Sequence, residues 1–304
     1  MLDRREFIRQ SLRAALLTTV GGAVPILVLP SRPGFAAEGS LLAVRTGKNI
    51  EQLVIDTLAA LGGMEKYVKR GETVVVKPNI GWDRTPELAA NTSPELVATL
   101  VTACLEAGAK SVRVFDRTCN DPRRCYAQSG IAAAVEALRS ERVTVEYMDR
   151  RAYQKLVIKD GQELREWEFY QPALEADRLI NVPIAKHHSI SKLTLGMKNI
   201  MGVIGGNRGV LHRNIAEALC DINQVVQSDL TVIDATRILV ANGPQGGRPE
   251  DVRQLDTLIA SPDIVAADSY AATLFGFQPH EIPTLAAAAR RGLGVTALDR
   301  MRRV

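Results

Sequence analysis

From residue 41 onward the chain alternates short β-rich runs with segments of helical period. Leu41 to Val44 reads as a first strand, and Ile50 to Val68 places Leu53, Leu58 and Leu61 on one helical stripe before Gly62 and Gly63 break it. T-V-V-V-K-P, residues 73–78, is apolar at consecutive positions, the pattern of a strand buried on both faces. T-S-P-E then supplies an N-cap, an N1 proline and an early acid for a helix over Pro94 to Ala107. Strands follow at Ser111 to Phe115 and Val143 to Met148, with a helix at Gly130 to Arg139 between them. Lys155 to Ile158 and Leu164 to Tyr170 read as a β-hairpin turning at Asp160-Gly161 and inserted on the main sheet. Arg178 to Pro183 restarts the alternation. A helix over Leu211 to Val226 and a strand from Leu230 to Ile233, ending at Asp234, come next. A strand over Leu255 to Ala260 and helices over Pro262 to Phe275 and Pro283 to Arg291 complete it. This order predicts an α/β fold: a mostly parallel, Rossmann-like sheet flanked by helices, carrying a β-hairpin insertion.

The first 36 residues stand apart from that pattern. Arg4 and Arg5 precede Phe7 and Ile8, and an apolar run from Ala14 to Pro30 leads to the small residues Gly34 and Ala36. These are the parts of a twin-arginine export signal, with a cut after Ala36 or Ala37, or retention as an N-terminal anchor. Gly21, Gly22 and Pro25 make the run a poor permanent span. The expected division is a signal over 1–36 and one α/β domain over 37–304. The expected location is periplasmic or otherwise outside the cytoplasm, with the twin-arginine export machinery as a partner.

Charge matters once the leader is set aside. Five arginines against Asp3 and Glu6 lie in it, accounting for most of the formal +4, so the remainder is near neutral. A nucleic-acid partner, which demands a basic excess, is not expected. With 46% hydrophobic and 24% charged residues, wholesale disorder and a multi-span membrane protein are also excluded.

In open parallel sheets ligands bind beyond the carboxyl ends of the strands. Polar groups stand at four such ends: Lys77 with Asn79, Asp116 with Arg117, Lys186 with His187 and His188, and Asp234. The stretch from Asn181 to Arg213 holds three of the four histidines, together with Lys186, Lys192, Lys198, Arg208 and Arg213, and contains no acid. Donors without carboxylates suit a small anionic ligand, a carboxylate or a phosphate. G-G-N-R-G, residues 205–209, adds backbone that can approach an anion, although the P-loop spacing is missing. His187, His188 and His212 are also the histidines available to a metal site, completed by Asp116 or Asp234. Adjacent histidines on a strand point to opposite sides, so at most one of His187 and His188 serves a given ligand. Cys104 and Cys220 read as core residues. Cys119 and Cys125 are near enough in sequence to pair in an oxidising compartment.

The ordered series V-V-V-K-P-N, E-A-G-A-K, I-N-V-P-I-A-K-H-H, G-M-K-N-I-M-G-V-I, A-N-G-P-Q-G-G and S-P-D-I-V-A-A-D resembles the family catalogued as domain of unknown function 362, over essentially the whole chain after the leader. The resemblance implies that Lys77, Asn79, Lys186, His187, Lys198, Asn199, His212, Asp234, Asn242 and Asp268 occupy the family's recurrent polar positions around one cleft. Many relatives carry clustered cysteines and are described as iron–sulfur proteins. This chain lacks any C-x-x-C-x-x-C run, so an intrinsic 4Fe–4S ferredoxin module is not expected; a metal remains open. The expected roles are proton handling or catalysis at His187, His212 and Lys198, with Lys77, Asn79, Lys186, Asn199, Arg208, Asn242 and Asp268 binding the ligand. Asp116 and Asp234 orient it or hold the metal. Two functions fit: an exported enzyme or redox accessory protein, or a non-catalytic binding protein for a small anion or cofactor.

Overall fold

The computed structural model describes residues 40–304; the export signal read in the sequence lies outside the described residues. Among the described residues no helix is long and apolar enough to cross a membrane.

The centre of the sheet is built from β2 (Thr73–Pro78), β3 (Ser111–Val114), β4 (Val143–Val145) and β7 (Arg178–Val182), paired in parallel in the order β7-β2-β3-β4. The valine run of β2 explains why helices cover both faces. Val74 and Val76 pack into one core with α1 (Ile50–Ala60) and α2 (Pro94–Glu106), whereas Val75 faces the other core with Leu179, Ile200 and Ile222. Each buried valine contributes about 1.5–3 kcal/mol relative to exposure, so this strand tolerates no polar interior. The charge of Lys77 appears only where the strand ends.

On the other side of β7 one strand runs against the rest. β1 (Leu41–Thr46) and β10 (Leu230–Leu239) both run antiparallel to β11 (Val252–Ser261), which lies between them, and β12 (Arg302–Arg303) lies parallel to β1 at the edge. The sheet is therefore mixed but mostly parallel, as expected: β11 is reversed between β1 and β10, and every other neighbouring pair along the main path is parallel. The sequence ends a strand at Asp234, but β10 continues to Leu239 through a register shift between Ala235 and Arg237. Asp234 is fully buried at that bulge, accepting from Ser93 N, Thr236 N and the Thr236 hydroxyl at 2.7–3.0 Å. Burial pushes its carboxyl up from the usual range, and these three donors hold it down.

Pro183 divides what would otherwise be one strand into β7 and β8 (Ile184–His188). β10 follows both pieces, pairing β7 through Leu230 and Thr231 and β8 through Asp234 and Leu239. β8 turns back into β9 (Lys192–Thr194). The expected hairpin is present as β5 (Tyr153–Val157) with β6 (Glu166–Tyr170), paired antiparallel. Its connection is longer than a two-residue turn. The buried carboxylate of Asp221 orders that loop by accepting from the backbone N–H groups of Gln162, Glu163 and Leu164.

Three short helices are absent from the sequence reading: α3 (Pro122–Gln128), α5 (Gln171–Glu175) and α6 (Gly196–Asn199). The helix read as Gly130 to Arg139 is α4 (Ile131–Glu136). The one read as Leu211 to Val226 starts later, as α7 (Ile215–Val225), because residues 208–214 wind as a 3₁₀ segment. α8 (Ile264–Thr273) and α9 (Pro283–Arg290) close the second face.

Candidate functional site

A cleft of about 580 Å³ opens beyond the carboxyl ends of β2, β3 and β8. Its walls come from the residues after β2, the loop after β3, the face of β8 that carries Lys186 and His188, and the 198–212 segment.

The floor is a chain of amides. The ammonium of Lys186, 1% exposed, donates to Asn79 Oδ1 at 3.0 Å and to the Ala90 carbonyl. Asn79 donates to Asn199 Oδ1 at 3.0 Å, Asn199 to Asn181 Oδ1 at 2.9 Å, and Asn181 to the Gly196 carbonyl at 3.1 Å. Every acceptor of the Lys186 ammonium is neutral. Burial pushes its pKa down to about 7, and the neighbouring Lys198 and Lys77 push the same way. Lys198 stands higher in the wall, its ammonium 3.4 Å from Met201 Sδ, and burial pushes it down to about 8. Arg208 donates to the carbonyls of Arg117 and Thr118 at 2.9 and 2.8 Å, with the exposed Cys119 thiol 3.9 Å away. Among the described residues no carboxylate pairs with Lys186, Lys198 or Arg208.

Two imidazoles lie side by side against these cations, His188 and His212, with ring centroids 5.6 Å apart and planes 17° from parallel. His188 Nδ1 accepts from the N–H groups of Ile190 and Ser191, which assigns its proton to Nε2. Burial, then Lys198, pushes its pKa down to about 3, so the ring is neutral in ordinary solution. His212 Nδ1 lies 3.2 Å from the Gly209 carbonyl, which can only accept, so His212 carries its proton on Nδ1 and leaves Nε2 bare. Burial and Lys198 lower it as well. The pair therefore presents one ring nitrogen that donates and one that accepts.

One acid lines the cleft wall among these groups, and it is engaged. Asp116 forms an ion pair with the completely buried Lys77 at 2.8 Å and accepts from Ile80 N at 2.7 Å. Desolvation lowers the Lys77 amine from its usual range, and Asp116 opposes that. A Cβ on Gly202 would lie 1.7 Å from Asp116 Oδ1, so the glycine of G-V-I lets the backbone pass directly over this pair.

The expected site residues thus divide. Asn79, Lys186, Lys198, Asn199, Arg208, His212 and Asp116 meet in the cleft. Five others are placed elsewhere. His187 points to the other side of β8, its Nδ1 accepting from Gly243 N at 3.1 Å. Asn242 donates to both oxygens of Asp251 and holds the loop that carries Gly243. Asp268 accepts from the N–H groups of Gly196 and Met197 and so caps α6; burial pushes its carboxyl up to about 7. Asp234 sits at the β10 bulge, and Lys77 lies beneath the floor as the counter-ion of Asp116.

The sequence reading marked Arg117 only as a strand-end group, gave no role to Asn181 or Thr118, and chose His187 over His188 for the site. For the histidines a signal was present: on a strand, Lys186 shares its face with His188 and cannot share it with His187. A metal is not favoured by this geometry. Among the described residues no three His, Cys, Asp or Glu side chains converge closely enough to hold one, and Asp116, Asp234, His187 and His212 are not brought together. The cysteines do not fit an iron–sulfur cluster either, since Cys104, Cys125 and Cys220 are buried and Cys119 alone of the four reaches the cleft. All four are free thiols, so the considered Cys119–Cys125 pairing is not formed.

A mixed α/β sheet with an amide-floored, cation-lined cleft at its strand ends defines the class of protein. The chain belongs to the family described as domain of unknown function (DUF362), whose model matches residues 74–273 and so includes every residue of the cleft. It is 30% identical over 250 residues to a thylakoid-associated protein of Synechocystis sp., covering 80% of this chain and 75% of that one. Among solved structures it is similar to the lactate racemase apoprotein from Thermoanaerobacterium thermosaccharolyticum, with a TM-score of 0.48 and 12% identity over 81% of this chain. A protein from Thermotoga maritima matches with a TM-score of 0.41 and 14% identity over 74% of this chain. The chain spans 59% of each of these solved proteins.

Proposed function

We propose that this DUF362 protein is exported and captures a small anionic ligand, a carboxylate or phosphate, in the cleft between Lys186, Lys198 and Arg208, where it acts on that ligand. One observation carries the reading: four cationic side chains, Arg117, Lys186, Lys198 and Arg208, line one cleft, and none forms an ion pair with a carboxylate among the described residues. Two of them are amines that desolvation has shifted toward neutrality, which an arriving anion would reverse. In this reading Lys186 and Lys198 neutralise the ligand's charge, and Arg208, its guanidinium held by the Arg117 and Thr118 carbonyls, adds a fixed positive charge. His188 Nε2–H donates a hydrogen bond and His212 Nε2 accepts a proton, the complementary groups that general acid–base chemistry needs.

Capture without chemistry is the second reading, favoured by the rigid run Lys186–Asn79–Asn199–Asn181, which fixes a donor without offering a route for protons. Both readings require ligand-dependent stabilisation against unfolding when acetate or inorganic phosphate is added. Conversion of a bound carboxylate or phosphate compound to product, absent when His212 is replaced by glutamine, separates the enzyme from the binder.

The export half of the proposal rests on Arg4 and Arg5. Replacing both with lysine is expected to leave the full-length chain unprocessed in the cytoplasm. Normal appearance of the shortened form outside the cytoplasm would remove the twin-arginine route from the account.

A further inference from the structure

We propose that the ligand is elongated, with its anionic head in the lysine cleft and a flat, uncharged body in an adjoining hollow. The inference rests on the anion reading above and adds the class of molecule. The hollow measures about 530 Å³ and shares Asp116, Arg117, Thr118 and Gly206 with the cleft, so the two spaces meet along one ridge.

Size is the first argument. Pockets for drug-sized ligands occupy about 300–1,000 Å³, so the cleft and the hollow are each of that order, and a bare carboxylate or phosphate would leave most of the space to water. The lining of the hollow is the second. Arg117 is clamped by hydrogen bonds to the carbonyls of Ile204 and Gly206, at 2.9 and 3.0 Å, and its guanidinium lies 6.0 Å from the centroid of the Tyr153 ring. Met148 packs beside that ring, its sulfur 3.8 Å from the phenol oxygen. Burial pushes the Tyr153 phenol up to about 12, which keeps it uncharged. A planar cation, an aromatic ring and a thioether present surfaces suited to a flat π-system. The third argument is polarity. Glu168 Oε2 accepts from Gly206 N at 2.9 Å, leaving Oε1 for an N–H or O–H donor on the body and disfavouring a second anionic group there. The cleft gathers Lys186, Lys198 and Arg208 around one engaged acid, whereas the hollow sets the Glu168 carboxylate against Arg117 and Arg150, which fixes the direction in which the ligand lies.

The test is calorimetric titration of the chain with two matched pairs at one pH: inorganic phosphate against phenyl phosphate, and acetate against phenylacetate. In the pair that binds, the aryl member is expected to bind at least about tenfold more tightly. Tyr153→Leu is expected to abolish that advantage while leaving the parent anion's affinity unchanged, with the melting temperature confirming the fold. Adding an amino group, as in 4-aminophenyl phosphate or 4-aminophenylacetate, is expected to strengthen binding further. Glu168→Gln, at an exposed position and able to keep its bond to Gly206 N, is expected to erase only that last gain. Parent anions that bind while aryl forms bind no better would overturn the elongated ligand and leave the anion reading standing. An aryl advantage that survives in folded Tyr153→Leu would also overturn it. No binding in either pair would overturn both.

Discussion

Replacing Lys77 with methionine is expected to destabilise the fold by about 3–5 kcal/mol, the usual penalty for stranding one member of a buried ion pair. Lys77 is fully buried and Asp116 nearly so, and without the ammonium the carboxylate keeps only the N–H of Ile80. Chemical denaturation of the variant at neutral pH checks the size. The double variant Lys77→Met with Asp116→Asn is expected to recover part of the loss, because no uncompensated charge remains. Equal instability in single and double variants would mean that packing, rather than charge, holds this corner of the cleft.

Lys198→Met carries the second large effect, on binding rather than on stability. The Lys198 ammonium meets a thioether instead of an acid, so the folded protein loses no ion pair when it is removed, and one source of buried charge disappears. Its anion contact, if charge-assisted, contributes about 1.5–3 kcal/mol. Affinity for acetate or phosphate is therefore expected to fall by about one to two powers of ten, with the unfolding free energy unchanged or raised. Unchanged affinity would assign Lys198 to the wall and not to the ligand.

Much of this arrangement was legible in the sequence, and the exceptions have physical causes. The valine run of β2 reads correctly because a strand buried on both faces has no alternation to misread. The acid-free stretch from Asn181 to Arg213 pointed to the cleft because uncompensated donors stand out in any fold. Asp234 misled because T-V-I-D-A-T-R-I-L reads as a strand with a polar stop. The bulge that swallows its carboxylate depends on Ser93, 141 residues away in sequence. Asp268 misled in the same way: it caps the single turn of α6, a helix too short to have a periodic signature. The antiparallel β11 escaped because strand direction is set by pairing, which local pattern does not encode. The choice of His187 had a remedy in the sequence, since the two-residue period that admits Lys186 to the cleft also admits His188 and excludes His187.

The central claim is that Lys186 and Lys198 are held near neutrality by burial and recharged by an arriving anion. The most direct measurement is the affinity for sulfate and acetate, by calorimetry, from pH 6 to pH 9, where neither probe changes its own charge. With the two amines at about 7 and about 8, both are protonated at pH 6 and both are largely neutral at pH 9. Binding should draw protons from solution near pH 8, and affinity should fall by roughly one to two powers of ten as pH rises through that window. His188, at about 3, stays neutral throughout and adds nothing to the slope. An affinity that does not change with pH, or the absence of binding at pH 6, would contradict the account.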